Sequence, residues 1–285
     1  MNNLSKTFRY VNANGDTLVF DYAHGYLINK PKGIDTININ LSQAQGINQV
    51  GSTVQSATVQ ARPVTISGVV VGDSAAARKN ALVAAVRPDI PGKLYADDYF
   101  LDVYVTATPT VEADKKCAKF QFSLIAAYPY WQKVDKVAKP LTGVEKLFKF
   151  PWNISQPYQF GQLIKDKFVN VVNNGQLPVP FTATFTATDR VLNPKITNIQ
   201  TGEFLLLNYG LEPDEKVIVE HTHGKTYVRA FLGDDTADIR GALDLDSTLF
   251  RLNVGDNVLK PEAEEGLENL DVQITFATEI PGVTV

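Results

Sequence analysis

The sharpest chemical signal in the sequence is the histidine pair of His221-Thr-His223. Two histidines at i and i+2 of a strand point to one face and can share a metal ion. Such a site needs a third or fourth ligand, but His24 is the only other histidine, and the position four residues after His223 is Tyr227. His223-Gly224 also falls where a hairpin must turn, so the two rings need not share a face. The expectation is turn residues and no metal.

The remaining candidates are weaker. Cys117 sits among Asp114, Lys115, Lys116 and Lys119. Lysines lower a thiol pKa, but no histidine lies nearby in sequence to complete a nucleophile, so Cys117 reads as a small residue beginning a strand. Asp234, Asp235, Asp238, Asp244 and Asp246 lack the spacing of a calcium loop and read as a solvated acidic face. Glu262, Glu264, Glu265 and Glu268 read as a charged turn. No pair of carboxylates is marked for sugar cleavage. No nucleophile elbow, phosphate loop or dinucleotide fingerprint occurs. Tyr128, Tyr130, Trp131 and Trp152 have the chemistry to stack on sugar rings, but clustered at a domain junction they read as packing. The chain is expected to be no enzyme and to need no cofactor.

Composition agrees. Across 285 residues the net charge is −4 and the pI near 5.5, which supplies no basic footprint for nucleic acid. Met1–Tyr10 has no apolar signal core, and no run approaches the roughly 20 apolar residues of a membrane helix. One cysteine cannot form an intramolecular disulfide, which fits cytoplasmic synthesis. Partners among nucleic acids and membranes are not expected. At 44% hydrophobic residues a normal core can form.

The elements that must position these residues are nearly all strands. Phe8–Val11 and Thr17–Tyr22 flank Asn12-Ala-Asn-Gly15, a hairpin turn. Tyr26–Asn29 and Ile34–Leu41 are strand-like. Ser42–Ala61, with five glutamines and few large apolar residues, reads as an extended surface loop or long hairpin, or as an arm that pairs with a neighbouring subunit. Arg62–Val71 is a β-branched strand closed by Gly72. Asp73 and Ser74 cap the one good helix, about 74–87, where Arg78, Leu82 and Val86 stack at i, i+4 and i+8. Leu82 and Val86 are expected to face the core, and Pro88 to end the helix. Strands over Tyr99–Thr108 and Lys119–Ala127 lead to Tyr128-Pro-Tyr-Trp131.

Residues 132–165, with Pro140, Pro151 and Pro157 and the aromatics Phe148, Phe150, Trp152, Tyr158 and Phe160, read as a connecting segment. The second domain, 166–285, shows its clearest alternation at Phe181–Thr188. Further strands are expected at Lys195–Ile199, Glu203–Leu207, Lys216–His221, Lys225–Ala230, Ser247–Leu252, Asn257–Lys260 and Leu270–Thr278. Many short strands with regular turns predict a β-sandwich. The fold class is therefore mainly β, with two β-sandwich-like domains (1–131 and 166–285) and a single helix in the first; whether the last strand returns to the first domain is left open by the sequence.

The order of an Arg62-led strand, a capped helix, a strand pair and Tyr128-Pro-Tyr-Trp131 resembles the N-terminal part of the distal tail proteins, the siphophage tail component family of long-tailed, non-contractile bacteriophages. Asn193-Pro-Lys-Ile-Thr-Asn-Ile-Gln-Thr-Gly-Glu203 and Asp246-Ser-Thr-Leu-Phe-Arg-Leu-Asn-Val-Gly-Asp-Asn257 are similar to strand–turn segments of its C-terminal part. The chief departure is Asp256 between Gly255 and Asn257, and no large insertion carries an added sugar-binding module, as in some relatives. The resemblance implies a virion tail-tip protein, made in the host cytoplasm. Six copies of the first domain would form a ring, and a galectin- or carbohydrate-binding-module-like sandwich would project outward. The implied partners are the tail tube protein, the tail-associated hub protein, and receptor-binding proteins or host cell-wall saccharide. The ring contact would fall to Ser42, Gln43, Gln45, Asn48, Gln49, Thr53 and Gln55 of the long arm, with Arg78 and Lys79 on the exposed side of the helix. The alternative is a monomeric carbohydrate-binding module that recognises cell-wall polymer.

Overall fold

The computed structural model describes residues 6–72, 75–113, 117–142, 144–146, 161–163, 168–222 and 224–284. The capping pair Asp73 and Ser74, the five aromatics of residues 148–160, and His223 lie outside them. The chain forms two compact units, Met1–Val134 with Glu279–Val285, and Asp135–Thr278.

In the first unit the chain forms β1 (Phe8–Asn12), β2 (Thr17–Phe20), β3 (Tyr26–Ile28), β4 (Ile39–Ala44), β5 (Thr53–Val59) and β6 (Arg62–Val71). Then follow α1 (Ala75–Ala85), β7 (Gly92–Ala96), β8 (Tyr99–Ala113), β9 (Cys117–Ala126) and β10 (Trp131–Lys133). One sheet runs in the order β2-β1-β7-β8-β9-β6-β3, and β10 adds to β8. The first hairpin turns as expected: Asn12 Oδ1 accepts the N–H groups of Asn14 and Asp16, and Gly15 takes φ +92°. In β6, Val64, Ile66 and Val70 alternate into the core. A Cβ at Gly68 would lie 2.2 Å from the Leu27 carbonyl oxygen, so only glycine admits β3 this closely.

The helix forms because alanine and long straight side chains fill it. It buries Leu82, with Ala85 and Val86 at its end, as the spacing predicts. Burial of a leucine contributes on the order of 2 kcal/mol. These residues join a core in which Tyr10, Phe20, Tyr26, Phe120 and Phe122 pack ring against ring at 6.2–6.5 Å.

The second unit is a sandwich. It contains β11 (Val137–Pro140), β12 (Val144–Lys146), β13 (Gly161–Leu163), β14 (Val169–Asn173), β15 (Thr182–Ala187), β16 (Val191–Leu192), β17 (Lys195–Asn198) and β18 (Phe204–Leu206). It continues with β19 (Gly210–Leu211), β20 (Lys216–Thr222), β21 (Lys225–Leu232), β22 (Asp235–Asp238), β23 (Gly255–Glu262) and β24 (Leu270–Phe276). A six-stranded sheet, β11-β24-β15-β20-β21-β22, and a four-stranded one, β14-β23-β17-β18, face one core. Buried asparagines tie down its turns. Asn257 Nδ2 donates to the carbonyls of Val171, Asn253 and Gly255, and Asn173 Nδ2 to those of Leu177 and Leu252.

Two expectations change, and a point the sequence leaves open is closed. Val137–Pro140, read as part of a connector, pairs with Gln273–Phe276 and belongs to the second unit. After β24 the chain leaves that unit: β25 (Glu279–Ile280) pairs with Trp131 and Gln132, so 279–285 complete the first unit and do not end the second. Ser247–Leu252 is not a strand. The Ser247 hydroxyl both accepts from Leu206 N–H and donates to its carbonyl, and main-chain pairing is reduced to Thr248 N–H on the Phe204 carbonyl and a single bridge between Leu252 and Val179.

Candidate interaction surface

β4 and β5 form a two-stranded hairpin of their own, hydrogen-bonded to no other strand among the described residues and exposed at every position. Ile39 lies opposite Val59, Leu41 opposite Ala57 and, past a bulge at Ser42/Gln43, Gln43 opposite Val54. Directly opposed residues share a face, so Ile39, Leu41, Val54, Ala57 and Val59 make one side mainly apolar, with Gln43 on it towards the tip. Asn40, Ser42, Ser56 and Thr58 make the other side polar. Ile39 is 57% exposed and Val54 52%. At the tip Ile47 and Val50 are wholly uncovered. No charged residue occurs from Thr36 to Ala61.

A two-stranded ribbon is marginal in water on its own, and this one is braced from inside. Gly46 N–H donates to Gln49 Oε1 at 2.9 Å and Gln45 Nε2 to the Gln49 carbonyl at 3.1 Å. Gln49 Nε2 donates to Thr53 Oγ1 at 3.0 Å and Ser52 Oγ to Gln43 Oε1 at 2.7 Å. Asn48 and Gly51 turn the chain with φ of +65° and +82°. The sequence-predicted residues Gln43, Gln45, Asn48, Gln49 and Thr53 are thus brought together, but as the brace of the tip. Ser42 pairs with Ser56 on the polar side, and Gln55 is the extra residue of the bulge. The reading from glutamines missed the apolar side, whose signal was the Ile39/Leu41 and Ala57/Val59 alternation.

Arg78 departs from its expected exposed position. Its guanidinium donates to the Val71 carbonyl and fills the space over Gly25 and Gly72, where a Cβ would come within 2.4 and 2.7 Å of it. Its own carbonyl accepts Tyr26 OH at 2.7 Å. Lys79 is half-buried, and Val83 is 46% exposed on the helix surface.

The other chemical candidates are structural where described. His221 Nδ1 lies 2.9 Å from Thr226 Oγ1; burial, then the nearby Arg251 charge, holds its pKa below the usual histidine value. Cys117 is exposed at the start of β9. Asp238 pairs with Arg240, and Asp244 accepts from Asn208 and from Asp246 N–H. Tyr209 OH donates to Glu215 Oε1 at 2.7 Å, and that bond pushes the phenol up to about 12. Trp131 is buried with its N–H on the Ile34 carbonyl, and Tyr128 meets Tyr130 edge-on at 5.4 Å. Among the described residues no three His, Cys, Asp or Glu group as metal ligands would.

Residues 174–279 match the family model described as siphovirus-type tail component, C-terminal domain. The whole chain is similar to the crystal structure of SPP1 Dit (gp 19.1), described as a paradigm of hub adsorption apparatus in phages infecting Gram-positive bacteria. The TM-score is 0.70 at 14% identity, over 96% of this chain and 99% of that one. It is also similar to a chain of the phage P2 baseplate in its activated conformation with Ca, at TM-score 0.53 and 10% identity, over 98% of this chain and 100% of that one. The same baseplate with Sr gives 0.51 and 9%, over 98% and 100%. A search of curated proteins found no match. The chain thus resembles the distal tail proteins in fold from end to end, and its residues 174–279 match the C-terminal domain of the siphovirus-type tail component family.

Proposed function

We propose that this chain is a structural component of a phage tail tip, part of the baseplate at the end of a long non-contractile tail. Six copies of its first unit close into a ring. The ring joins the tail tube to the tail hub and to the proteins that attach the virion to its host. The similarity of fold to SPP1 Dit and to a chain of the P2 baseplate supports the tail-tip placement.

The observation that carries the ring is the arm hairpin. Its apolar side, from Val59 at 40% to Ile39 at 57% exposed, is covered by no other strand among the described residues, and an uncovered apolar face marks an interaction site. Without charges it also lacks the usual protection of an exposed sheet edge. A second copy is a fitting occupant: an arm on one side of a subunit and a receiving face elsewhere on it make a heterologous contact, the kind that closes rings.

The test is mass by light scattering after size exclusion, over a range of concentrations, for the chain and for a variant lacking Ser42–Gln55. The expected result is a concentration-dependent approach to a hexamer that the deletion abolishes while leaving a folded monomer. A deleted chain that still assembles would remove the outer part of the arm, residues 42–55, from the contact. A parent chain that stays monomeric and binds cell-wall polymer would favour a carbohydrate-binding module instead.

A further inference from the structure

Both legs of the arm are fastened at one buried cluster, and the centre of that cluster is Arg62. It is 1% exposed and is the first residue of β6, three positions after the arm's return strand ends. Its guanidinium donates to four main-chain carbonyls: Nε to Pro129 at 2.6 Å, Nη1 to Gly33 at 2.9 Å and Ile34 at 2.8 Å, and Nη2 to Pro281. Gly33 and Ile34 belong to the loop from which the arm's outgoing strand rises. The Ile34 carbonyl also accepts Trp131 Nε1 and Val283 N–H, each at 3.0 Å. The planar fork of arginine suits this task, since its fixed donors reach several acceptors at once.

Two of these contacts come from the segment that returns after the second unit. Pro281 supplies a carbonyl to Arg62, and Val283 supplies its N–H to Ile34. Between them Gly282 lies flat on the arm's base: a Cβ there would stand 2.6 Å from the Asp35 carbonyl oxygen and 2.9 Å from its carbon. The preceding β25 pairs with β10, so both chain connections to the second unit start from this same cluster.

We propose that residues 279–284 are a positioning strap for the arm. With Arg62 as the buckle, the strap sets where the arm's base sits and hence where its apolar side is presented to a neighbour. The fastening that anchors the tether of the second unit is also the one that aims the ring contact. Only the assembly part of this proposal rests on the ring reading above.

Gly282→Ala is the least invasive test, because it adds one carbon against the Asp35 backbone. Hydrogen exchange on dilute, monomeric protein should show amides of residues 33–38 and 60–62 exchanging at least tenfold faster, with the second unit unchanged. The dissociation constant for self-association should rise at least tenfold. Arg62→Lys, which keeps the charge and loses the fork, should reproduce both effects. Unchanged exchange at the arm's base would overturn the proposal. So would an increase spread evenly over the first unit, which would make the strap a general stabiliser. The exchange experiment needs no ring, so a chain that never self-associates would sink the ring reading and still decide the strap.

Discussion

β5 and β6 follow one another with only Gln60 and Ala61 between them, and both are rich in β-branched residues. β6 buries every second side chain between β9 and β3, whereas β5 is exposed at all seven positions. Local pattern therefore does not decide burial. An alternating strand specifies that one face wants cover, and only tertiary structure says where the cover comes from. For β6 it comes from the same chain. For the arm no strand among the described residues supplies any, and this difference is the physical content of the ring proposal.

The comparison breaks most visibly with a charge placed on each region. Ile66→Asp or Leu82→Asp puts a carboxylate where exposure is 0% and should cost about 4 kcal/mol or more, enough to unfold the first unit. Limited proteolysis would show that unit lost and the second unit retained; a folded, protease-resistant Leu82→Asp chain would refute the placement of the helix. Val83→Asp, the next residue along, should shift stability by no more than about 0.5 kcal/mol. Leu41→Asp belongs with Val83→Asp for stability, yet should reduce self-association by tenfold or more in light scattering. If Leu41→Asp assembles like the parent, the apolar side of the arm is not the contact.

Glycine sharpens the same contrast at equal backbone geometry. Gly33 and Gly51 have φ of +85° and +82°. A Cβ at Gly33 would stand 2.0 Å from the Pro63 carbonyl oxygen, while at Gly51 nothing lies within 4 Å. Gly51→Ala should cost only the left-handed backbone penalty, about 1 kcal/mol. Gly33→Ala adds a clash between two main chains and should cost about 3 kcal/mol in chemical denaturation. Equal costs would mean that the arm's base is as free as its tip.

Much of this was readable from the residues. The run Phe181–Thr188 becomes β15 with alternate burial, and the spacing of Leu82 and Val86 gave the inward side of the helix, because period and propensity are local properties. The sandwich of the second unit follows from turn spacing in the same way. What was hidden is long-range. Arg62 reads as an ordinary strand residue until Pro281, 219 positions away, supplies its carbonyl. The return of Glu279–Ile280 to Trp131 carries no local mark, since two residues are too few for a pattern. The glutamines of the arm drew attention by composition, although the uncovered side belongs to Ile39, Leu41, Val54 and Val59.

The smallest expected effect separates the arm from the second unit by pH. His221 is partly buried between Thr226 and the Arg251 charge, and its pKa in the folded chain lies below the unfolded value. As pH falls through the ordinary histidine range near 6.5, the unfolded state takes up a proton that the folded state refuses, so the second unit loses stability. The loss stops growing once the pH is below the folded pKa. His221→Gln should flatten this slope in thermal unfolding between pH 7.5 and 5, and matching slopes for parent and variant would remove His221 as its source. The arm has no titratable side chain from Thr36 to Ala61, so its own share of the ring contact should be indifferent to the same change. Self-association that tracked the His221 slope would show that the contact involves the second unit, and the division of labour drawn between β5 and β6 would have to be redrawn.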